Sequence, residues 1–158
     1  MGISSNVNEQ QLRDRFQRAA ERIEQSIIER LFYVGEELVN HARQIPSEVG
    51  YTDRTGNLRS STGYILVVHG EIIHANFEKT PGVETSTDDG VKIGRSYAEQ
   101  LAKTYTEGYV LILVAGMEYA LFVEATGRDV LTSTELLAGD KVPDQLRKLK
   151  EQVKVMKL

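Results

Sequence analysis

The residues of this chain that could do chemistry are its three histidines, a glycine-rich loop and a pair of adjacent aspartates. Histidines bind transition metals when several of them, or carboxylates, converge at ligand spacing. The local patterns place His41 at the end of a helix, His69 at a hairpin turn and His74 in the strand that follows. Glu71 is the one carboxylate at ligand spacing from them, so the sequence argues against a metal site.

The glycine-rich loop occupies residues 55–61 and reads TGNLRSS. It lacks the lysine of a phosphate-binding loop, and it leads into a strand, whereas anion-binding loops lead into a helix N-terminus. Asp88 and Asp89 lie in an acidic loop without the alternating oxygen ligands of a calcium-binding EF-hand. No catalytic signature emerges, so we expect a protein that is not an enzyme and that uses no cofactor.

The composition is that of an ordinary globular domain. The chain has 158 residues, of which 41% are apolar and 27% are charged, and we expect one domain over residues 1–158. The absence of cysteine excludes disulfides, and the net charge of −4 gives no reason to expect a dominant nucleic-acid surface. No apolar stretch reaches the roughly 18 residues of a membrane span, and the first residues lack a signal-peptide pattern. We therefore expect a cytoplasmic or particle-bound protein that contacts no membrane.

Charge is distributed unevenly along the chain. Residues 1–45 carry 6 Lys and Arg against 7 Asp and Glu, residues 46–140 carry 7 against 14, and residues 141–158 carry 6 against 2. The middle is therefore acidic and the C-terminal segment basic. Such an asymmetry is most often only solvated surface, but it also suits head-to-tail contact between identical subunits.

Residues 8–42 are predicted to form one long amphipathic helix. Apolar residues recur there every three or four positions, which places them on one helical face. Asn8 is a suitable N-cap, and Pro46 closes the segment. A helix of about 35 residues is roughly 50 Å long, more than a domain of this size needs to cover its own sheet. We expect part of it to pack on another chain; the alternative is a helix broken at Gly35 and folded back on its own core.

A β-hairpin is predicted over residues 64–77. Its turn is either His69-Gly70 or Gly70-Glu71, and in both registers the same side chains share a face. The predicted core face carries Tyr64, Leu66, Val68, Ile73, Ala75 and Phe77. The opposite face carries Ile65, Val67, Ile72, His74 and Asn76. This second face is too apolar to be simply solvated, so we expect it to contact the long helix or a neighbouring subunit.

A long loop and a central strand are predicted next. Residues 78–94 contain proline, glycine and acidic positions with only isolated apolar residues, which is typical of a loop. A short helix is expected over residues 96–103. Residues 109–115 are apolar at every position, the pattern of a strand covered on both faces, and we place this strand in the centre of the sheet. Residues 118–124 fit either a short helix or another strand.

The C-terminal part is predicted to be helical. Residues 130–138 and 142–157 fit two helices, with Pro143 in the first turn of the second. We expect Asp129 to cap the helix that follows it and Arg128 to pair with a carboxylate across the surface.

These elements together predict an α+β fold. A long N-terminal helix packs on a small, mostly antiparallel sheet, which is made from the hairpin 64–77 and the strand 109–115. The α+β core spans residues 52–125 and includes the loop 78–94. C-terminal helices over residues 130–157 complete the domain.

Two short motifs stand in a distinctive order along the chain. The first, TG-x-L-R-x-S, occupies residues 55–61 and opens the hairpin, and the second, YA-x-x-VE, occupies residues 119–124 ahead of Gly127. With the long N-terminal helix and the helical C-terminus, this order resembles the tail-completion, or head-to-tail joining (neck), proteins of long-tailed bacteriophages. Members of that family often carry a proline-rich or aromatic segment after the glycine turn, where this chain has residues 130–135.

The resemblance implies a subunit that forms a ring, typically a hexamer, between the phage head connector and the tail tube. Its implied partners are further copies of the same chain, the head connector or adaptor proteins and the tail-tube proteins. Genomic DNA would pass through the ring without specific binding. The implied location is the head–tail junction of the virion, and the host cytoplasm during assembly. No catalysis is expected of such a protein.

Candidate interaction residues follow from the half-apolar hairpin face, the first motif and the charged turn. The candidate subunit-interface residues are Arg59, Ile65, Val67, Ile72, His74, Arg128 and Asp129. The candidate residues of a loop that faces the ring lumen or an adjoining ring are Glu84, Asp88, Asp89 and Lys92. An acidic loop in the lumen would repel DNA during its passage.

A second interpretation comes from a different class of protein: a soluble protein-binding module or regulator whose long amphipathic helix captures a partner helix. The genomic neighbourhood separates the two interpretations, because capsid, connector and tail-tube genes alongside would favour the neck protein. A small hydrolase would need a nucleophile next to a base, and the plausible bases are scattered along the chain.

Overall fold

The computed structural model describes residues 8–82 and 89–156, which form an α+β fold. The elements, in chain order, are α1 (Glu9–Arg43), α2 (Asn57–Ser60), β1 (Thr62–Val68), β2 (Glu71–Phe77), α3 (Asp89–Ala102), β3 (Tyr109–Ala115), α4 (Ala120–Ala125) and α5 (Thr132–Val155). The long N-terminal helix, the small antiparallel sheet and the helical C-terminus confirm the predicted fold class.

Helix α1 is a single unbroken helix of 35 residues, as its apolar period predicts. Asn8 caps it, because the Asn8 side chain accepts a hydrogen bond of 3.0 Å from the backbone N–H of Gln10. A Cβ atom at Gly35 would lie 2.5 Å from a ring carbon of Tyr64, so this glycine lets the helix approach the sheet closely. The alternative of a helix broken at Gly35 is therefore wrong.

The three strands form one antiparallel sheet in the order β2-β1-β3. The predicted central position of residues 109–115 is wrong, because β1 is the central strand and β3 lies at an edge. Both α1 and α3 nevertheless contact β3, so helices cover both faces of this edge strand. An apolar run indicates that both faces are covered, and this can happen at the edge of a sheet as well as in its centre.

The hairpin between β1 and β2 turns at His69 and Gly70. Both residues have positive φ, 50° and 86°, as a two-residue turn of type I′ requires. The backbone N–H of His69 donates to the carbonyl oxygen of Gly108 at 2.8 Å, which joins the turn to the start of β3. The first of the two predicted turns is thus the one that forms.

A β-bulge at Ile73 changes which side chains of the hairpin share a face. Leu66 pairs with His74 whereas Val67 pairs with Ile72, so Ile73 is the extra residue. Because the side-chain period of a strand is two, every pair beyond the bulge is moved to the opposite face. The predicted composition of the two hairpin faces is therefore wrong for the part of β2 beyond the bulge.

Strand β1 is buried over all seven of its residues. One face packs on α1, where Tyr64 lies against Gly35, and the other packs on α3. Ile65 and Val67 are 0% and 1% exposed. The buried residues around them are Ala98, Ala102, Ile112 and Val114. The prediction that Ile65 and Val67 face a neighbouring subunit is wrong, because both belong to the core of their own chain.

Helix α3 begins inside the segment 78–94 that was predicted to be a loop. Its first residue is Asp89, so the predicted loop is too long. A Cβ atom at Gly94 would lie 2.3 Å from the carbonyl oxygen of Ser61, which shows how closely α3 approaches the start of β1. Glycine at this contact permits the packing, and it also removes the apolar period by which a helix is recognised in a sequence.

Helix α5 is one continuous helix, not the predicted two, and Pro143 lies inside it. It runs antiparallel to α1 and contacts it on both sides of the proline. Before Pro143, the Thr134 hydroxyl lies 3.0 Å from His41 Nδ1. After it, Arg30 donates to the Gln152 side-chain oxygen at 2.8 Å. This packing holds the helix together although proline removes one backbone hydrogen bond.

The burial of β1 gives a first testable prediction. Ile65→Asp removes a buried apolar side chain and places an unpaired charge in the core, so we expect a loss of roughly 4 kcal/mol or more of unfolding free energy. The matched control is Ile73→Asp on the bulge, where the side chain is 45% exposed. Its expected loss is below about 1 kcal/mol. Urea denaturation measures both values, and equal losses for the two variants would contradict the assigned core.

Candidate interaction surfaces

The first seventeen residues of α1, which we call the free half of α1, extend past the body of the protein. The hydrogen bonds between α1 and α5 begin at Ser26, whose hydroxyl accepts from the Gln152 amide at 3.4 Å. No residue in 9–22 is buried, and the large apolar side chains Leu12 and Phe16 are 43% and 53% exposed. The amphipathic stripe therefore continues beyond the part of α1 that the rest of the described chain covers.

Helix α4 presents two adjacent large apolar side chains that are highly exposed. Residues 118–124 fit either a short helix or a strand by sequence, and the structure has a helix there. Ala120 is buried in a small core with Leu58, which fixes the helix on the body. Leu121 and Phe122 point away from that core and are 78% and 71% exposed. We call this pair the α4 knob.

An apolar groove lies between α1 and α5 at the start of β3. Its volume is about 190 Å³, and its walls are almost entirely apolar. The principal apolar lining residues are Ile27, Leu31, Val34, Tyr109, Leu146 and Leu149. We call it the α1–α5 groove; it lies between the apolar stripes of two antiparallel helices, beside the first residue of β3.

Arg30 forms the polar wall of the α1–α5 groove. Its guanidinium donates to the side-chain oxygens of Gln145 at 2.9 Å and Gln152 at 2.8 Å. Both acceptors are neutral amides, and no carboxylate in residues 8–82 or 89–156 forms an ion pair with Arg30. The groove therefore combines an apolar floor with a positive charge that its own described chain does not neutralise.

Arg59, a predicted interface residue, is committed to contacts within its own chain. Its guanidinium donates to the backbone carbonyl oxygen of Arg43 at 2.6 Å and to that of Ile45 at 3.3 Å. The guanidinium carbon also lies 5.5 Å from the centre of the Tyr51 ring. Arg59 therefore satisfies carbonyl groups that the end of α1 leaves without helical partners.

Tyr51, beside Arg59, is itself largely buried. Burial raises the pKa of the Tyr51 hydroxyl to about 12, although the positive charge of Arg59 opposes the shift. The phenol therefore stays neutral at every physiological pH. Its role is to pack against Arg59 and the core, which leaves it no part in proton transfer.

Glu36, Tyr64 and Asn76 form a polar cluster between α1 and the sheet. One oxygen of Glu36 accepts from the Tyr64 hydroxyl at 2.7 Å and from the Asn76 amide at 2.8 Å. His74 Nε2 lies 3.8 Å from the same oxygen. Burial acts to raise the pKa of Glu36, but these hydrogen bonds, with the electrostatic influence of His74 and Arg43, bring it below its usual value. The ionised carboxylate is thus part of the packing.

Two of the predicted interface residues on β2 have different surroundings. His74 is half-buried, and its ring packs edge-on against Phe32 with 4.8 Å between the ring centres. Ile72 is 41% exposed beside the bulge. Ile72 therefore remains on the surface, whereas His74 belongs mainly to the contact between α1 and the sheet.

The charged turn before α5 is anchored by hydrogen bonds within the chain. Asp129 accepts from the backbone N–H of Ser133 at 3.2 Å, which agrees with its predicted capping role. Arg128 donates to the backbone carbonyl oxygen of Glu48 at 3.4 Å, so the predicted pairing with a surface carboxylate is wrong. A neutral carbonyl, which sequence patterns do not reveal, takes the place of the expected acid.

Glu124 is a capping residue that the sequence did not reveal. Its carboxylate accepts from the backbone N–H groups of Leu131 and Thr132 at 3.1 and 2.8 Å. Burial acts to raise the pKa of Glu124, but these bonds and one from the Thr132 hydroxyl lower it overall. Because Glu124 ends the YA-x-x-VE motif, its position in that motif is the signal that marks it.

The predicted lumen loop is only partly represented in the structure. Glu84 and Asp88 lie outside the described residues. Asp89 begins α3, and Lys92 is exposed on the first turn of the same helix. These two side chains therefore belong to a helix that packs on the sheet.

Comparison with protein-family models, with curated proteins and with solved structures gave no match. Within residues 8–82 and 89–156, no group of three or more histidine or carboxylate side chains converges as a metal site would require. None of the helices described is both long and apolar enough to cross a membrane.

The contacts of Arg59 give a second testable prediction. Arg59→Lys is expected to lower the unfolding free energy by about 1–3 kcal/mol, because lysine cannot reproduce the forked hydrogen bonds to two carbonyls. Arg13→Lys on the exposed part of α1 is the control, with an expected change below about 0.5 kcal/mol. Urea denaturation measures stability, and light scattering measures self-association. A loss of association at unchanged stability would show that Arg59 contacts another subunit instead.

The lowered pKa of Glu36 gives a third prediction. Because the folded-state pKa lies below the ordinary 4.5, the carboxylate stabilises the fold above that pH, and this contribution is lost as the pH falls through the folded-state pKa. Glu36→Gln should be less stable than wild type near neutral pH and should lose less stability on acidification below 4.5. Urea midpoints across this range measure the difference.

The matched control for this experiment is Glu21→Gln, an exposed glutamate on the same helix that accepts from Gln17. We expect its acid dependence to follow that of the wild type. If Glu36→Gln lost stability on acidification as steeply as wild type does, the carboxylate of Glu36 would not be the group responsible.

Proposed function

We propose that this chain is a non-enzymatic structural protein of a long-tailed bacteriophage. It is a ring-forming subunit at the neck of the virion, where it joins the head connector to the tail. The proposal starts from the resemblance of the TG-x-L-R-x-S and YA-x-x-VE motifs to those of tail-completion proteins. It depends on one structural observation, the free half of α1.

The free half of α1 supports assembly because a helix of this kind is poorly stabilised by itself. Isolated helices of about 12–15 residues are marginal in water, and most helical stability in proteins comes from packing of an amphipathic face. Leu12 and Phe16 lie on such a face without cover from the described chain. A permanent partner that covers this stripe is therefore the simplest reason for a helix of 35 residues.

The two motifs support the resemblance because they meet in space. Leu58 of the first motif and Ala120 of the second share one small buried core, and Val123 packs against it. The two charged motif residues act at the same end of the molecule: Arg59 at the end of α1 and Glu124 at the start of α5. Motifs that begin at residues 55 and 119 thus build one local structure.

The proposed partners are further copies of the chain in a ring, with the head connector or adaptor on one side and the tail tube on the other. The number of subunits that the resemblance implies is six. A net charge of −4 is compatible with a lumen through which DNA passes without being held. The proposed location is the head–tail junction, reached from the host cytoplasm during assembly.

A fourth prediction tests this function through Phe16. Phe16→Glu places a charge on the exposed stripe, so we expect heads and tails that fail to join and at least a tenfold loss of infectious particles. Gln17→Glu, one residue along on the polar side of the helix, is the matched control and should assemble normally. Electron microscopy of particles from cells that supply each variant measures the fraction of joined heads and tails.

Locating the wild-type chain in purified particles completes this test. Labelling or reconstruction should place it at the neck. Normal joining in the Phe16→Glu particles, or absence of the chain from the neck, would contradict the proposal. If the chain is absent from particles and is recovered with a helical partner, the interpretation as a binding module or regulator is correct.

A further inference from the structure

The α4 knob has the shape and chemistry of an anchor for another protein surface. Leu121 and Phe122 are held on a short helix whose inner side is fixed by Ala120, so the pair projects from a rigid base. Large apolar side chains that are this exposed and adjacent are typical of interaction sites. Glu118, also exposed, lies about one helical turn before the pair and adds a negative charge beside it.

The α1–α5 groove has a matching size and polarity. Apolar cavities of about 150 Å³ accommodate a benzene ring, and the groove has a volume of about 190 Å³, so one phenyl ring fits within it. Leu146, at the rim, is 56% exposed, so an incoming side chain can reach the groove. The guanidinium of Arg30, on the wall, donates only to neutral side-chain amides of the described chain, so it can also bind a carboxylate.

The α4 knob is complementary in charge to the α5 wall of the groove. Residues 117–129, which contain the α4 knob, carry 3 Asp and Glu against 1 Arg, a net charge of −2. Residues 141–155 of α5, along the groove, carry 5 Lys and Arg against 2 Asp and Glu, a net charge of +3. Residues 24–37 of α1, the other wall, carry 4 Glu against 1 Arg, and one of these acids, Glu37, is paired with Lys141. The positive charge that can meet the knob is therefore that of α5 and of Arg30.

The knob of one molecule cannot reach the groove of the same molecule. The groove lies at Tyr109, where β3 starts, whereas α4 follows the opposite end of β3. A strand of seven residues spans about 20 Å, and Phe122 is free of contacts that would bury it. Any contact between these surfaces is therefore a contact between two molecules.

We infer that the occupant of the α1–α5 groove is a second copy of this chain: Leu121 and Phe122 of one copy insert between α1 and α5 of the next, with Glu118 beside Arg30. The two surfaces differ, so the contact is head-to-tail, and until the assembly closes one end copy keeps a free knob and the other a free groove. Repetition of such a contact gives a ring when the rotation closes and an open chain of subunits when it does not. The inference deepens the proposed function, because it names the surfaces that join neighbouring subunits.

Crosslinking of the purified chain tests this contact. The natural sequence has no cysteine, so the double variant Ala125→Cys with Lys150→Cys carries reactive thiols only beside the knob and beside the groove, at exposed positions, and keeps Leu121, Phe122 and the groove lining. A short bismaleimide crosslinker should convert it into a ladder of dimers, trimers and larger species on a denaturing gel. Each single variant should give no species beyond the dimer, because it offers one thiol per chain.

The matched control pairs Tyr97→Cys with Lys150→Cys. Tyr97 is 46% exposed on α3, on the opposite side of the sheet from α1, so the same number of thiols is placed away from the inferred contact. We expect at least ten times more trimer and larger species from the knob–groove variant than from this control. The pair Ala125→Cys with Arg147→Cys, also at exposed positions, provides an independent variant of the same contact if the first folds poorly, as judged by circular dichroism.

Three results would overturn the inference. The first is a knob–groove variant that gives no more ladder than the control, and the second is a product that stops at the dimer, which indicates a two-fold contact. The third is a ladder from Gln17→Cys with Lys150→Cys in place of the knob variant, which would assign the groove to the free half of α1 of another copy.

This experiment separates the failure of the contact from the failure of the proposed function. A ladder from the purified chain, together with absence of the chain from phage necks, would keep the contact and refute the neck assignment. The chain located at the neck without a knob–groove ladder would refute the contact alone.

Discussion

Burial of both faces of β1 is the constraint on which the remaining packing depends. A strand covered on two sides cannot leave a face for solvent, so α1 and α3 must both cross it, one on each side of the sheet. Close contact requires small residues where the helices cross, and Gly35 on α1 and Gly94 on α3 occupy those positions. The edge strands β2 and β3 then extend the sheet under the two helices, which sets where the groove and the knob are formed.

The polar side chains of this fold hold chain ends and turns in place. Arg43 donates to the carbonyl oxygen of Thr62 and to the side chain of Asn76, and Arg59 donates in turn to the carbonyl oxygen of Arg43. At the start of α5 the direction is opposite: the Glu124 carboxylate accepts hydrogen bonds from backbone N–H groups. These bonds concentrate at the end of the molecule that holds both sequence motifs. The free half of α1 lies away from them, and its exposed apolar stripe has no comparable internal support.

The sequence predicts elements with a strong period and misses features that depend on contacts between elements. The helix from Glu9 to Arg43 and the hairpin turn follow from apolar spacing, an N-cap and a glycine. The bulge at Ile73 could not be predicted, because one extra residue leaves the alternation of side chains almost unchanged while it reverses their faces. The second half of α3 forms where a short helix over residues 96–103 is predicted, whereas its first half carries Gly90 and Gly94 and lacks an apolar period. The continuity of α5 through Pro143 depends on contacts with α1. The apolar residues of the groove were recognisable as helical stripes, but the gap between the two stripes exists only after they pack.

The unbroken length of α1 also gives the molecule a mechanical property. The helix is held by the sheet near Gly35 and by α5 as far as Ser26, and from Ser26 its N-terminal end lies roughly 25 Å away at 1.5 Å per residue. A tilt of about 5° at Ser26 moves that end by roughly 2 Å. A small change where α5 packs on α1 therefore produces its largest displacement at the exposed stripe of Leu12 and Phe16, and the free half of α1 acts as a short lever arm.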